Sequence, residues 1–426
     1  MKRSFTLVSF PGWIGLLIIS LLIIVLSSCG KKKVTGEDTT PPTVNILSPA
    51  NNSEVSDTVE ISVQAQDNNK VAKVEFYIDS QLLFTDTQSP WEYDWTTYLF
   101  DDSTTHTMYA VAYDQANNSA TSSVITVLVR VSAGFYFISD FYTPGMAYDV
   151  FIQGNYAYVA TGEEGLRIIN VQNPADPYSE GYFNTSGFAQ GIFVSGNYAY
   201  VADGQNGLQI VDISVPSIPD SAGWFNTPGY SEDVFVSGNY AYVADGSEGL
   251  LIVDITDPHN PDTAAQFSNG GSVKGVFVSQ GYAYLATAIG LQILDVSDPT
   301  NPSSAGFVYT SQYQGNRVFV EGDYVYLTAL IEGLHIFDVF DPHDPVELDT
   351  VYNPGVKAYG IFVKDDLAYI AFEDDGVHVI DVSDPYRISF VGHFDTEGKS
   401  YDLFVVGKLI YVADNSSLVI LRLSRS

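Results

Sequence analysis

One phrase recurs along this chain at a fixed interval. SGNYAYVADGQNGLQIVD occupies residues 195–212, and SGNYAYVADGSEGLLIVD occupies residues 237–254. The second tyrosine of the phrase, or its counterpart, falls at Tyr158, Tyr200, Tyr242, Tyr284, Tyr326, Tyr369 and Tyr411. An upstream phenylalanine keeps the same beat at Phe151, Phe193, Phe235, Phe277, Phe319, Phe362 and Phe404. The interval is 42 residues throughout, except for a single 43 between the fifth and sixth copies. A repeat of about 40–45 residues containing several short strands is the signature of a β-propeller, in which each copy is one blade.

The second copy parses as four strands. Gly191–Val194 and Tyr198–Ala202 are joined by Ser195-Gly196-Asn197, and Leu208–Ile213 follows a glycine-bearing loop. Pro216 and Pro219 fix the next turn, and Ser221–Asn226 forms the outermost strand; proline sets φ and removes a donor. The first three strands are almost continuously apolar, which suits sheets covered on both faces. An isolated blade would leave Phe193, Tyr200 and Ile210 wet. An open stack would keep two raw edges, and ring closure removes them. The seventh copy stops after three strands, while FYFISDFYTPG at residues 135–145 resembles the fourth strand of other copies. The sequence therefore predicts an all-β chain in which residues 133–426 form a seven-bladed β-propeller of four-stranded blades. Its last blade is closed by an N-terminal strand. The aspartate of each IVD phrase (Asp212, Asp254, Asp295, Asp338, Asp381) recurs, with Asn170 and Arg422 in the other copies. That recurrence points to a turn hydrogen bond rather than to a site.

Four phrases, LQIVDIS, LLIVDIT, LQILDVS and HVIDVSDP, resemble the LVIVD-repeat family of bacterial and archaeal surface proteins. The resemblance covers the C-terminal two-thirds and holds register from copy to copy. It implies a propeller and an extracytoplasmic setting, and no established activity.

The N-terminal part reads differently. Lys2 and Arg3 precede an apolar run from Gly12 to Leu26, and Leu26-Ser27-Ser28-Cys29-Gly30 follows. A charged start, a short apolar core and small residues are the marks of a signal peptide. An uncleaved membrane helix is the alternative, but a span prefers about 20 apolar residues. Leu-Ser-Ser-Cys resembles the lipobox of bacterial lipoproteins. That resemblance implies a signal peptide at residues 1–28 and a lipidated Cys29 on a tether, residues 29–43. It also implies a membrane partner through the lipid. Gly30 differs from the Asp that retains lipoproteins at the inner membrane, so an outer-membrane or cell-surface, extracytoplasmic location is expected. Cys29 is the sole cysteine, so no intramolecular disulfide can form.

Residues 44–131 carry about seven short alternating strands between turns, the pattern of an immunoglobulin-like β-sandwich. PPTVNILSPANNSEVSDTVEISVQAQDN, VEFYIDSQLL and YAVAYDQANNSA resemble bacterial immunoglobulin-like domains, which implies a spacer or an adhesion module.

With 51 acidic and 18 basic residues, the formal charge is -33. Such a field repels nucleic acid, which is excluded as a partner. The residues just before each innermost apolar run vary while their neighbours repeat. Packing constrains every blade alike, so these departures mark candidate ligand-binding positions at the axial mouth: Tyr148, Asp149, Glu232, Asp233, Lys274, Arg317, Tyr359, Tyr401 and Asp402. The other reading of the same residues is a solvated channel mouth neutralised by ion pairs. Glu163-Glu164, Asp203, Asp245, Glu248 and Glu373-Asp374-Asp375 are acidic enough to suggest calcium, but no Asp-x-Asp-x-Asp-Gly loop occurs and solvated turn acids are the favoured reading. His335 and His378 hold matching positions in adjacent blades, as packing residues would. No zinc motif, nucleophile elbow or phosphate-cradling loop occurs, and no cofactor is implied. The expected function is recognition of a protein, peptide or glycan at the mouth. The alternative is a hydrolase or lyase with a mouth-centred acid/base or calcium site.

Overall fold

The computed structural model describes residues 38–268, 271–309, 314–351 and 356–424; the leader, Cys29 and the Lys31–Lys33 run lie outside them. The described chain is strand and turn, with one short 3-10 segment at Thr97–Leu99.

The sandwich region has two sheets. One pairs Thr43–Ser48, Thr58–Gln66 and Trp91–Thr96 in that order. The other runs Ser53–Val55, Ile125–Val129, Thr104–Asp114, Val71–Ile78 and Gln81–Asp86, with Ser119–Thr121 also paired to Thr104–Asp114. The strands outnumber the seven expected because Ser53–Val55 and Ser119–Thr121 are only three residues long, too short to show an alternation. Phe76 and Trp95 are buried.

The C-terminal region is a seven-bladed propeller. Blades one to six are four-stranded antiparallel sheets whose strands pair in chain order. Blade two is typical: Gly191–Ser195, Tyr198–Ala202, Leu208–Asp212 and Asp220–Phe225. Blade seven closes the ring. Gly134–Ala147 pairs antiparallel with the C-terminal part of Leu409–Ser424, whose N-terminal part pairs with Ser400–Val406. The long C-terminal strand folds back at Asn415, which takes φ +54°. Leu423 N–H then donates to Lys408 O at 3.0 Å, as Ile213 N–H does to Asn197 O at 2.8 Å in blade two.

The second strand of every blade is nearly all buried because another blade covers each of its faces. Ala199, Tyr200, Val201 and Ala202 show the pattern, with burial of a large side chain worth about 1.5–3 kcal/mol. Tyr200, Leu208 and Ile210 of blade two pack with Val234, Val236 and Val243 of blade three. Outer strands dock through glycine: a Cβ on Gly223 would lie 2.3 Å from Pro258 O of the following blade. Phe193 departs from expectation. It is half-buried and lies at the ring axis, not between blades.

Ile138, from the closing strand, sits in the core shared by blades seven and one. Ile138→Ala should cost about 2–5 kcal/mol in chemical denaturation of the whole ring. Deleting residues 133–145 should lower the melting temperature further. An unchanged midpoint after the deletion would show that the ring closes without this strand.

Candidate functional site

The innermost strand of each blade runs along the ring axis. Antiparallel pairing fixes its register against the second strand: Asp149 faces Ala160, Gly191 faces Ala202, Asp233 faces Ala244 and Gly275 faces Ala286. Arg317 faces Thr328 and Asp402 faces Ala413 in the same register. With Gly360 from blade six, these seven positions form one layer across the axis. Around the ring the layer alternates charged residue and glycine: Asp149, Gly191, Asp233, Gly275, Arg317, Gly360, Asp402. The glycines make room. A Cβ on Gly360 would lie 2.2 Å from Asp402 Oδ1, and one on Gly191 would lie 2.8 Å from Asp233 Cα. Seven is odd, so the alternation breaks once, where Asp402 of blade seven meets Asp149 of blade one.

That break has an electrostatic consequence. Asp149 and Asp402 are buried carboxyls of adjoining blades, and each biases the titration of the other. Burial pushes the Asp149 carboxyl up to about 6, against the pull of Arg317 and with the help of the Asp233 charge. Burial and then the Asp149 charge hold Asp402 well above the usual carboxylate range. Burial raises Asp233 as well, opposed by Arg317. Burial disfavours the Arg317 charge, yet Asp233, Asp402 and Asp149 together hold its pKa above the ordinary value. Arg317 Nε lies 3.5 Å from Asp402 Oδ2, and a terminal Arg317 N–H donates to Lys274 O at 3.0 Å. The acids also bind backbone. Asp149 Oδ2 accepts from Ile192 N–H at 2.8 Å, and Asp233 Oδ2 accepts from Val276 N–H at 3.0 Å. Each of these bonds crosses to the following blade, so the layer staples the ring together.

The mouth lies on one side of this layer. Tyr148, Tyr401 and Tyr359 come from blades one, seven and six. Tyr148 and Tyr401 have ring centroids 5.2 Å apart, and Tyr401 and Tyr359 meet edge-on at 5.3 Å. Across the ring, Lys274 Nζ sits 3.6 Å from Glu232 Oε1. The nine sequence-derived residues thus divide into an aromatic wall, an ion pair and the charged layer beneath. Two mouth residues escaped the sequence reading. Phe188 packs on Tyr148 at 5.2 Å, and the Tyr230 hydroxyl accepts from Gln190 Nε2 at 3.1 Å. Both depart from the repeat two positions before a variable residue, so the same signal could have found them.

The seven beat phenylalanines lie on the other side of the layer. Neighbouring rings touch all the way round, with centroids 5.0 Å apart for Phe151 and Phe193 and 4.7 Å for Phe193 and Phe235. The last contact, between Phe404 and Phe151, measures 4.8 Å. Period-two alternation puts each Phe on the same strand face as the layer residue two positions earlier. Rings and charged layer together bound an axial cavity of about 150 Å³.

Comparison with known proteins now decides the family. A model of the LVIVD repeat matches residues 144–185, 186–227, 228–267, 270–310, 314–352, 355–396 and 397–424. The chain belongs to the LVIVD-repeat family. A bacterial Ig domain model matches residues 42–127. No curated protein matches. Among solved structures, the computationally designed Ika8 protein shares 7% identity at a TM-score of 0.52, over 76% of this chain and 94% of that one. The Cps50 (Swd1) β-propeller domain of Myceliophteria thermophila shares 10% at 0.56, over 68% of this chain and all of that one. Virginiamycin B lyase of Staphylococcus aureus gives the same 10%, 0.56, 68% and 100%. At these identities the likeness is one of fold.

The acidic loops of the LVIVD blades have local partners. Asp203 and Asp245 are buried rather than solvated. The Thr185 hydroxyl donates to Asp203, and Gly229 N–H donates to Asp245 Oδ2 at 2.8 Å, so these acids clamp the loop between strands two and three. Burial pushes Asp203 up to about 7, opposed by the Thr185 hydrogen bond. Glu164 pairs with Arg167 at 2.9 Å, and Glu373 pairs with Lys399 at 2.9 Å and Lys357 at 3.1 Å. The IVD aspartates accept from the N–H two residues on, for example Asp212 from Ser214 at 2.8 Å and Asp254 from Thr256 at 2.8 Å. His335 is fully buried with Nδ1 2.8 Å from Glu347 Oε1, and His378 Nε2 lies 2.9 Å from Asp375 Oδ2. In the sandwich, carboxylate oxygens of Asp38, Asp67 and Asp114 lie within 4.8 Å of one another, a donor set of the type hard cations take. Asn118 and backbone N–H groups already hydrogen-bond these acids.

Two outcomes follow for the charged layer. Arg317→Met leaves buried acids uncompensated and should cost about 3–5 kcal/mol in denaturant unfolding at pH 8. Because the folded protein holds the Asp149 proton more tightly than the unfolded chain, this carboxyl favours folding fully below pH about 4. Its contribution is lost as pH rises toward about 6. Asp149→Asn should therefore flatten the fall of melting temperature across that window. An identical pH profile in the variant would show that the fold does not raise the Asp149 pKa.

Proposed function

We propose that the propeller is a recognition module, held outside the cytoplasm by a lipid on Cys29. In this reading it binds a protein, peptide or glycan through the mouth formed by Tyr148, Tyr359 and Tyr401. The observation that supports it is the tyrosine wall itself. Three rings from consecutive blades adjoin at 5.2 and 5.3 Å, opposite the Lys274–Glu232 pair, at positions where the repeat lets residues vary. Tyrosine presents a large, rigid, amphipathic face at small entropic cost, which is why binding surfaces favour it. The sandwich and the tether set the ring away from the bilayer in this scheme.

The hydrolase or lyase reading draws on the neighbouring buried carboxyls of Asp149 and Asp402, since paired carboxyls with separated titrations serve as acid and base. Here both are held by backbone N–H groups, Asp149 by Ile192 and Asp402 by Leu403, and Arg317 lies against the latter. Those contacts suit fixed staples better than groups that must exchange protons with a substrate, and they favour recognition.

Screening the protein on glycan and peptide arrays should give a binder. Tyr401→Ala should weaken it by about thirtyfold or more, the loss typical of a hot-spot aromatic. Retained affinity in that variant would move the site away from the mouth. Separately, Cys29→Ser should shift the protein from the membrane fraction to the soluble one; continued sedimentation with membranes would refute the anchor.

A further inference from the structure

The phenylalanine-lined cavity faces away from the tyrosine mouth, and its chemistry is different. Moving along each innermost strand, the charged layer is buried, the phenylalanines are half-buried, and the next residue on the same face is partly or fully exposed. Those last positions are Gln153, Ser195, Ser237, Ser279, Glu321, Lys364 and Val406, three of them short serines. The cavity therefore opens on the far face of the ring. Its depth from charged layer to rim is four residues of strand, about 13 Å at roughly 3.3 Å per residue. The walls are seven phenyl rings in unbroken mutual contact. The closed end carries three carboxyls against one guanidinium. Acids outnumber the guanidinium at this end of the cavity, and an added cation redresses the balance. Arg317 cannot supply it, being already counted. At the rim, Glu321 and Lys364 bring side chains of opposite sign, so the excess of acid lies at the closed end.

We infer that this chamber is a second binding site, for a primary alkylammonium group with its methylene stem between the phenyl rings and its nitrogen toward Asp149, Asp233 and Asp402. Phenyl rings cover an apolar stem, and an anionic end selects an ammonium tip over a neutral or anionic one. Either a free polyamine or a lysine side chain presented by another protein supplies that chemistry. The site lies across the charged layer from the mouth and does not depend on the mouth reading.

Isothermal titration of the full chain tests it with n-propylamine, n-butylamine and n-pentylamine, against 1-pentanol and pentanoate. The amines should bind, about fourfold tighter per added methylene, while pentanol and pentanoate bind at least tenfold more weakly. Equal affinity for pentanol, or no heat with pentylamine, would overturn the inference. Asp233→Asn should weaken pentylamine at least tenfold and spare its weak alcohol counterpart. Should that variant melt early, Ser237→Trp serves instead: Ser237 is an exposed rim residue, and a bulky ring there should block pentylamine without lowering the melting temperature. Unchanged pentylamine binding in a folded Ser237→Trp protein would also refute the site. 1,5-Diaminopentane and Nα-acetyl-lysine amide distinguish the two sources: stronger binding of the former points to a free polyamine, and of the latter to a presented lysine.

Discussion

A single LVIVD blade has two apolar faces and no means of covering either. Tyr200 and Ile210 reach near-complete burial against blade three, and Ala199, Val201 and Val211 on the other face against blade one. Everything else in the ring follows from that shortage. Stacking covers faces but leaves a first and a last blade, and only closure covers those. Closure in turn joins the two ends of the repeat array within one sheet, where Gly134–Ala147 lies beside the C-terminal strand. The chain is thereby cross-braced at the point where a repeat array is otherwise weakest, since terminal repeats lack a neighbour.

Closure with an odd number of blades then shapes the chemistry at the axis. Side chains from seven strands converge on a space too narrow for seven of them, and glycine at alternate positions relieves the crowding. An even ring could alternate without a fault. This one has a single fault, and two carboxyls meet there. Their juxtaposition is a product of blade number and register more than of any local motif. The same layer carries structure and electrostatics together: Asp149 and Asp233 grip the next blade through backbone N–H groups while their charges set the field in the channel.

The sequence showed blade number, strand order, the closing strand and the turn role of the IVD aspartates, because each repeats and repetition is visible without an alignment. It also showed which mouth positions vary. What it did not show was depth. Phe193 and Tyr200 keep the same beat, and a fixed period cannot tell a residue between blades from one on the axis. Strand alternation could have done so, because Asp149 and Phe151 are two residues apart and must share a face. Asp203 and Asp245 were similarly ambiguous. An acid in a loop reads as solvated until the Thr185 hydroxyl and the Gly229 N–H are seen to enclose it. The sandwich was legible by count, and its two three-residue strands were too short to leave a pattern.

The charged layer also makes the two ends of the channel chemically unlike. On one side tyrosines offer hydroxyls and rings beside a Lys–Glu pair; on the other, phenyl rings alone adjoin the acid-rich layer. A water-filled channel lined evenly along its length would give both ends one character. Here Arg317 reaches from blade five to the Lys274 carbonyl of blade four and to Asp402 of blade seven, spanning the axis. The position that separates the two ends is therefore the one place where the repeat substitutes a long cation for an acid or a glycine. A chain built from near-identical units acquires two dissimilar surfaces through departures at Arg317 and at the mouth positions beside it, with the seven-fold packing around them unchanged.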